Sequence, residues 1–145
     1  MLIALPLLVI PVVLYNIVVL SGALSGVTSD GRFLAAEAAL REPIFSIPMA
    51  SGASWGVGAG DLILFLSLLL LFFELLKSTS SQKIAIVNHA LSMILFVVCL
   101  VEFLLLQGFA TSVFFLILTM VLLDVLAGFI VTIVASRKDF DFGGR

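Results

Sequence analysis

Long apolar runs alternate with short polar stretches along the whole chain. Four runs are long enough, at about 1.5 Å per helical residue, to cross roughly 30 Å of hydrocarbon. They cover residues 2–22, 57–76, 84–107 and 111–135. No charged side chain occurs before Asp30, and the first run lacks the basic start of a signal peptide, so we expect a retained span. The pattern predicts an all-α integral membrane protein, with residues 1–145 forming one four-helix transmembrane domain.

The longest stretch between these runs, residues 23–56, is predicted to be the one sizeable outer loop. Its segment TSDGRFLAAEAALRE favours a short amphipathic helix, because Ser29 or Asp30 can cap it and Ala, Leu and Glu favour helix. Pro43 and Pro48 then interrupt an apolar segment in which we find no strand pattern. We therefore expect irregular backbone after the short helix.

Composition supports the membrane assignment and excludes several functional classes. Hydrophobic residues make up 63% of the chain and charged residues 11%, with a mean hydropathy of +1.36. A soluble domain carries about a quarter charged residues. The net charge of −2, without a basic block, provides no electrostatic basis for binding nucleic acid. A single cysteine, Cys99, excludes an intrachain disulfide.

The distribution of Lys and Arg predicts the orientation. With four spans, five of these residues fall on the side that holds both termini, and only Arg32 and Arg41 fall on the other. The five are Lys77, Lys83, Arg137, Lys138 and Arg145. Because cytoplasmic loops carry an excess of Lys and Arg, we expect both termini in the cytoplasm. The expected location is a bacterial inner (plasma) membrane.

A short motif, GASWG at residues 52–56, matches the G-x-S-x-G pattern around the nucleophile of many serine hydrolases. That chemistry needs a strand before the serine and a histidine base within reach. The chain has one histidine, His89, which the topology places on the other side of the membrane from Ser54. We therefore interpret the segment as the edge of a span, with Trp55 at the headgroup level and Asp61 in the first turn of the second helix.

Polar residues inside the spans are the other candidates for function. Asn16 is expected to form a hydrogen bond to a neighbouring helix. Glu74 precedes Lys77 by one turn near the cytoplasmic surface, so an interfacial i,i+3 ion pair is expected there. Glu102 and Asp124 lie deeper, where an ionised carboxylate is costly unless it is paired, protonated or hydrated.

Helical periodicity places these deeper acids on polar stripes. In the third span, Asn88, Ser92 and Cys99 share one sector with Glu102, and in the fourth span Asp124, Gly128 and Thr132 form an i,i+4 stripe. Both stripes are expected to face inward or toward a partner. Glu102 and Asp124 should differ in depth by about 9 Å, which makes direct pairing unfavourable.

Three interpretations of the stripes stay open. In the first, the acids and their polar neighbours hold helices together by hydrogen bonds. In the second, Glu102 and Asp124 form a proton or ion relay. In the third, the stripes bind a lipid, a quinone or another hydrophobic cofactor. The sequence requires no cofactor, and one histidine with one cysteine gives no recognisable metal-ligand set.

The function expected from this pattern is that of a small accessory or structural subunit, without catalytic activity, that associates with a larger membrane complex or with itself. The alternative is an oligomeric proton- or ion-coupled transporter or channel that uses Asp124 and Glu102. A membrane enzyme is the remote alternative, since only the Ser54 motif favours it.

Overall fold

The computed structural model describes residues 5–22, 32–77 and 82–142. Within these residues, helices form most of the chain, and one two-stranded sheet lies between the second and third helices. In order, the elements are α1 (Val9–Leu20), α2 (Arg32–Arg41), β1 (Pro43–Pro48), β2 (Ser54–Gly58), α3 (Ala59–Lys77), α4 (Gln82–Leu105), a 3-10 turn (Gln107–Phe109) and α5 (Ser112–Phe142).

Three helices are long and apolar enough to cross a membrane. The segments Ala59–Lys77, Ile86–Leu105 and Ser112–Val131 have mean hydropathies of 2.3, 2.1 and 2.7. This indicates a membrane protein, as the sequence predicts. Helix α1 is apolar as well, but its 12 residues reach only about 18 Å. The prediction of four spans therefore stays a prediction for residues 2–22.

Helix α5 is the central element of the bundle, because it packs along both α4 and α3. Helix α1 contacts α3 and α5, and it begins close to Lys77, whose ammonium group lies 2.6 Å from the Leu5 carbonyl oxygen. We call this part the Lys77 end of the bundle. The opposite part, which contains α2, both strands and the 3-10 turn, is called the hairpin end.

An aromatic cluster closes the bundle core near the 3-10 turn. Tyr15, Phe109 and Phe114 are fully buried, and their ring centroids lie 4.8–5.5 Å apart. The Tyr15 hydroxyl shares a hydrogen bond of 2.5 Å with the Thr111 hydroxyl, which satisfies a polar group that would otherwise be costly inside the bundle. Helix α1 is thereby tied to the link between α4 and α5.

The expected short helix is confirmed, since α2 covers Arg32–Arg41. The capping residues Ser29 and Asp30 lie outside the described residues. Glu37 on α2 accepts hydrogen bonds from the Ser112 backbone N–H (2.9 Å) and from Arg41 (2.7 Å). Partial burial opposes ionisation of Glu37, but these hydrogen bonds outweigh it and hold the pKa of the carboxyl below its ordinary value.

The expectation of irregular backbone after α2 is wrong. Strands β1 and β2 pair antiparallel, with Phe45 opposite Val57 and Ile47 opposite Trp55. A turn joins them, in which Gly52 has a φ of 83°, a conformation that favours glycine. Prolines are tolerated here because Pro43 and Pro48 stand at the two ends of β1.

Candidate functional site

The most extensive polar contacts between the apolar helices surround Glu74. Its side chain is fully buried, although the sequence predicts an interfacial position. One carboxylate oxygen accepts from the Leu7 backbone N–H at 2.6 Å, and the other accepts from the Asn88 amide at 2.5 Å. The carboxylate therefore joins α3 both to α4 and to the turn that precedes α1.

Lys77 completes this group. Its ammonium lies 3.2 Å from the Glu74 carboxylate, so the predicted i,i+3 pair is confirmed. The same ammonium donates to the Leu5 carbonyl (2.6 Å) and to the Asn88 side-chain oxygen (3.1 Å). We call Glu74, Lys77 and Asn88, with the backbone of Leu5 and Leu7, the Glu74 cluster. It holds a partly buried ion pair, with Glu74 buried and Lys77 partly exposed, in which both charged groups are also hydrogen-bonded.

A second polar pair lies one helical turn away along α4. The buried Ser92 hydroxyl donates to the buried Asp124 carboxylate at 2.5 Å, which links α4 to α5. Ser92 follows Asn88 by four residues, a rise of about 6 Å. Glu74 and Lys77 are accordingly close enough to interact electrostatically with Asp124.

His89 borders this region on α4. Its imidazole packs toward Phe129 (ring centroids 6.3 Å apart) and lies so close to Gly128 that a Cβ there would be 2.5 Å from Nδ1. Within the described part of the chain, buried Nδ1 has no hydrogen-bond partner. The ring also interacts electrostatically with Asp124.

Glu102 belongs to a different part of the bundle. It accepts from the Asn16 amide at 3.3 Å, which confirms the expected bond from α1 to a neighbouring helix. Glu102 lies ten residues, about 15 Å of helix, beyond the Ser92 that contacts Asp124. Glu102 is three residues from the end of α4 and Asp124 is twelve residues into α5, so the two acids lie at different levels of the bundle. The structure thus groups Asp124 with Glu74 rather than with Glu102.

The other predicted residues have distinct surroundings. Asp61 lies in the first turn of α3, as expected, and accepts from the Gly58 N–H at 2.9 Å. Trp55 is exposed on β2. The side chain of Thr132 lies outside the described part of the structure. Ser54 is the first residue of β2 and follows a turn between two strands, whereas a nucleophile elbow places its serine at a turn from a strand into a helix.

The site brings carboxylates, amides and hydroxyls into contact with one another. Such groups can bind protons or join helices by hydrogen bonds. Among residues 5–22, 32–77 and 82–142, no group of three or more His, Cys, Asp or Glu is placed to hold a metal ion. No family model matches the chain, and neither a curated protein nor a solved structure matches it.

Proposed function

We propose that this protein is a small, non-catalytic subunit of an inner (plasma) membrane assembly, formed with a larger membrane complex or with further copies of itself. The supporting observation is that three carboxylates in the interior of the apolar helices, Glu74, Glu102 and Asp124, each receive a hydrogen bond from another part of the bundle. Glu74 is bonded from α4 and from the turn before α1, Asp124 from α4, and Glu102 from α1. Carboxylates engaged in this way act as packing groups between helices.

This function predicts that assembly requires a hydrogen-bond acceptor at position 124 and does not require the negative charge of Asp124. An asparagine at this position keeps an oxygen that accepts from Ser92, whereas alanine leaves the buried hydroxyl without its partner. In protein purified gently from its native membrane, Asp124→Asn should retain the co-purifying subunits or the native homo-oligomer, and Asp124→Ala should lose much of it.

A result that contradicts the subunit function is equally concrete. In that case, wild-type protein purified in this way carries no partner and drives a proton-coupled flux in vesicles. If Asp124→Asn then abolishes the flux while assembly is intact, the carboxyl group of Asp124 acts as a proton carrier.

A second function, an oligomeric proton- or ion-coupled transporter or channel, is favoured by one specific observation. Asp124, Glu74 and His89 are grouped within about two helical turns at the Lys77 end, and the buried Nδ1 of His89 lacks a partner within the described residues. A relay of this kind would use Glu74 in place of Glu102. In vesicles with an imposed pH gradient, it predicts that Glu74→Gln stops the flux and that the matched variant Glu102→Gln does not.

A further inference from the structure

A groove of about 420 Å³ separates the β-hairpin from the start of α3. Its volume falls within the range of about 300–1,000 Å³ that is typical of small-molecule sites. Its walls are almost entirely apolar, and the side chains come from both strands and from the first two turns of the helix. They are Phe45, Ile47, Trp55, Val57, Asp61, Leu62, Leu64 and Phe65.

The strand register explains why the hairpin side of the groove is apolar. Successive side chains of a strand point to opposite faces, so the pairs Phe45–Val57 and Ile47–Trp55 lie on one face. Of these four, Phe45 and Trp55 stay 46% and 53% exposed. A two-stranded hairpin is at best marginally stable alone, so covering this face stabilises it.

The helix side of the groove continues an exposed apolar surface of α3. Leu62 and Phe65 are 43% and 63% exposed, and the exposed apolar surface runs on along the helix through Leu69 and Phe72. Because α3 is long and apolar enough to cross a membrane, the hydrocarbon of lipids is the medium that suits this surface. The groove adjoins this surface and is lined by Trp55, and tryptophan is enriched at membrane–water interfaces.

Charge distinguishes one end of the groove. Among the described residues, Asp61 is the only charged one that lines it. One carboxylate oxygen accepts from the Gly58 N–H, and a carboxylate can accept about four hydrogen bonds, so Asp61 retains capacity for a cationic donor. An occupant that complements the groove therefore combines a long apolar body with an ammonium group at the headgroup level.

We propose that this groove binds one acyl chain of a phospholipid whose headgroup carries a primary ammonium, as in phosphatidylethanolamine, and that the ammonium pairs with Asp61. The lipid fills the apolar face of the hairpin and fixes the hairpin against α3. The groove lies at the hairpin end, away from Asp124 and Glu74, so its occupancy is independent of the proposed subunit function.

The chain reports on this groove directly, because Trp55 is its only tryptophan. We would reconstitute the protein into phosphatidylcholine vesicles that contain a small fraction of lipid brominated on the acyl chain, and measure quenching of Trp55 fluorescence. Brominated phosphatidylethanolamine should quench more strongly than brominated phosphatidylcholine at equal fraction. The preference should be about 1.5- to 5-fold, the factor that an exposed ion pair contributes.

Two variants separate the headgroup contact from general charge effects. Asp61→Asn keeps an oxygen for the Gly58 N–H, so the hairpin should fold normally, as circular dichroism would verify, while the preference for ethanolamine disappears. Glu42→Gln removes an exposed acid at the same end of the bundle but outside the groove, and it should leave the preference unchanged.

Two outcomes would overturn the proposal. If neither brominated lipid quenches Trp55, a protein segment or water covers the groove instead of an acyl chain. If both lipids quench equally and Asp61→Asn changes nothing, the hairpin only rests in the bilayer and Asp61 selects no headgroup.

Discussion

Replacing Glu74 by alanine is expected to destabilise the bundle and to release the turn that precedes α1. The buried carboxylate accepts from the Leu7 N–H and from the Asn88 amide, and alanine leaves both donors without this acceptor. Lys77 loses its ion pair but keeps the Leu5 carbonyl and the Asn88 oxygen as acceptors. The main loss is therefore that of two interhelical hydrogen bonds.

The loss of free energy of unfolding in Glu74→Ala follows from the two hydrogen bonds that are removed. Interhelical hydrogen bonds in membrane proteins contribute about 0.6 kcal/mol on average and up to about 1.7 kcal/mol. Two lost bonds should lower the free energy of unfolding by about 1–3 kcal/mol. The loss should also be local, because α1 is joined to the rest of the bundle at its other end through Tyr15 and Thr111.

Two measurements test this prediction. Unfolding of the protein in mixed micelles by increasing sodium dodecyl sulfate gives the free energy of unfolding. Amide hydrogen exchange gives the local effect: protection at Leu7 should fall in Glu74→Ala, while protection in the centre of α5 should follow only the global stability.

Glu42→Ala is the matched control. Glu42 is exposed, so the same substitution there should change stability by no more than about 0.5 kcal/mol. If Glu74→Ala is as mild as this control and Leu7 stays protected, the Glu74 cluster does not hold α1, and the interfacial position predicted for Glu74 would be the better description.

Further predictions concern the contact of α4 with α5 and the hairpin end. Gly128→Ala should destabilise by about 1–3 kcal/mol, since its Cβ would lie 2.5 Å from His89 Nδ1; adding His89→Ala should recover much of the loss, and an unrecovered double mutant would refute the steric explanation. For Glu37, the lowered pKa means that its contribution to stability is present above its unfolded pKa of about 4.3 and is lost as pH falls through the folded value. In Glu37→Gln, unfolding measured from pH 6 to pH 3 should therefore show a weaker loss of stability toward acid; an unchanged slope would show that Ser112 and Arg41 do not stabilise the carboxylate.

The long helices were predictable from the sequence because many apolar residues indicate each of them. Dozens of apolar residues specify α3 and α5, so the predicted starts at residues 57 and 111 differ by only one or two positions from Ala59 and Ser112. The hairpin was not predictable in this way, because its strands are only six and five residues long and the adjacent apolar residues Ile44 and Phe45 interrupt the alternation in β1 that identifies a half-buried strand.

The candidate site was predicted in part for a related reason. Periodicity correctly placed Asn88 and Ser92 on one buried face of α4, since a helix fixes which residues share a side. The role of Glu74 was missed because one of its partners is the backbone N–H of Leu7, 67 residues earlier in the chain. A backbone group has no residue type to mark it, so no pattern of side chains can reveal such a contact.

The long sequence separation of the contacts of α1 has a consequence for biosynthesis. Asn16 and Tyr15 bond to Glu102 and Thr111, which follow them by 86 and 96 residues. At about 5–20 residues per second, a ribosome needs roughly 4–20 s to add those partners. During that interval the polar amide of Asn16 has not yet met its acceptor. We therefore expect the contacts of Tyr15 and Asn16 to form late, after Thr111 has been synthesised, whereas the contacts of Leu5 and Leu7 with α3 can form earlier.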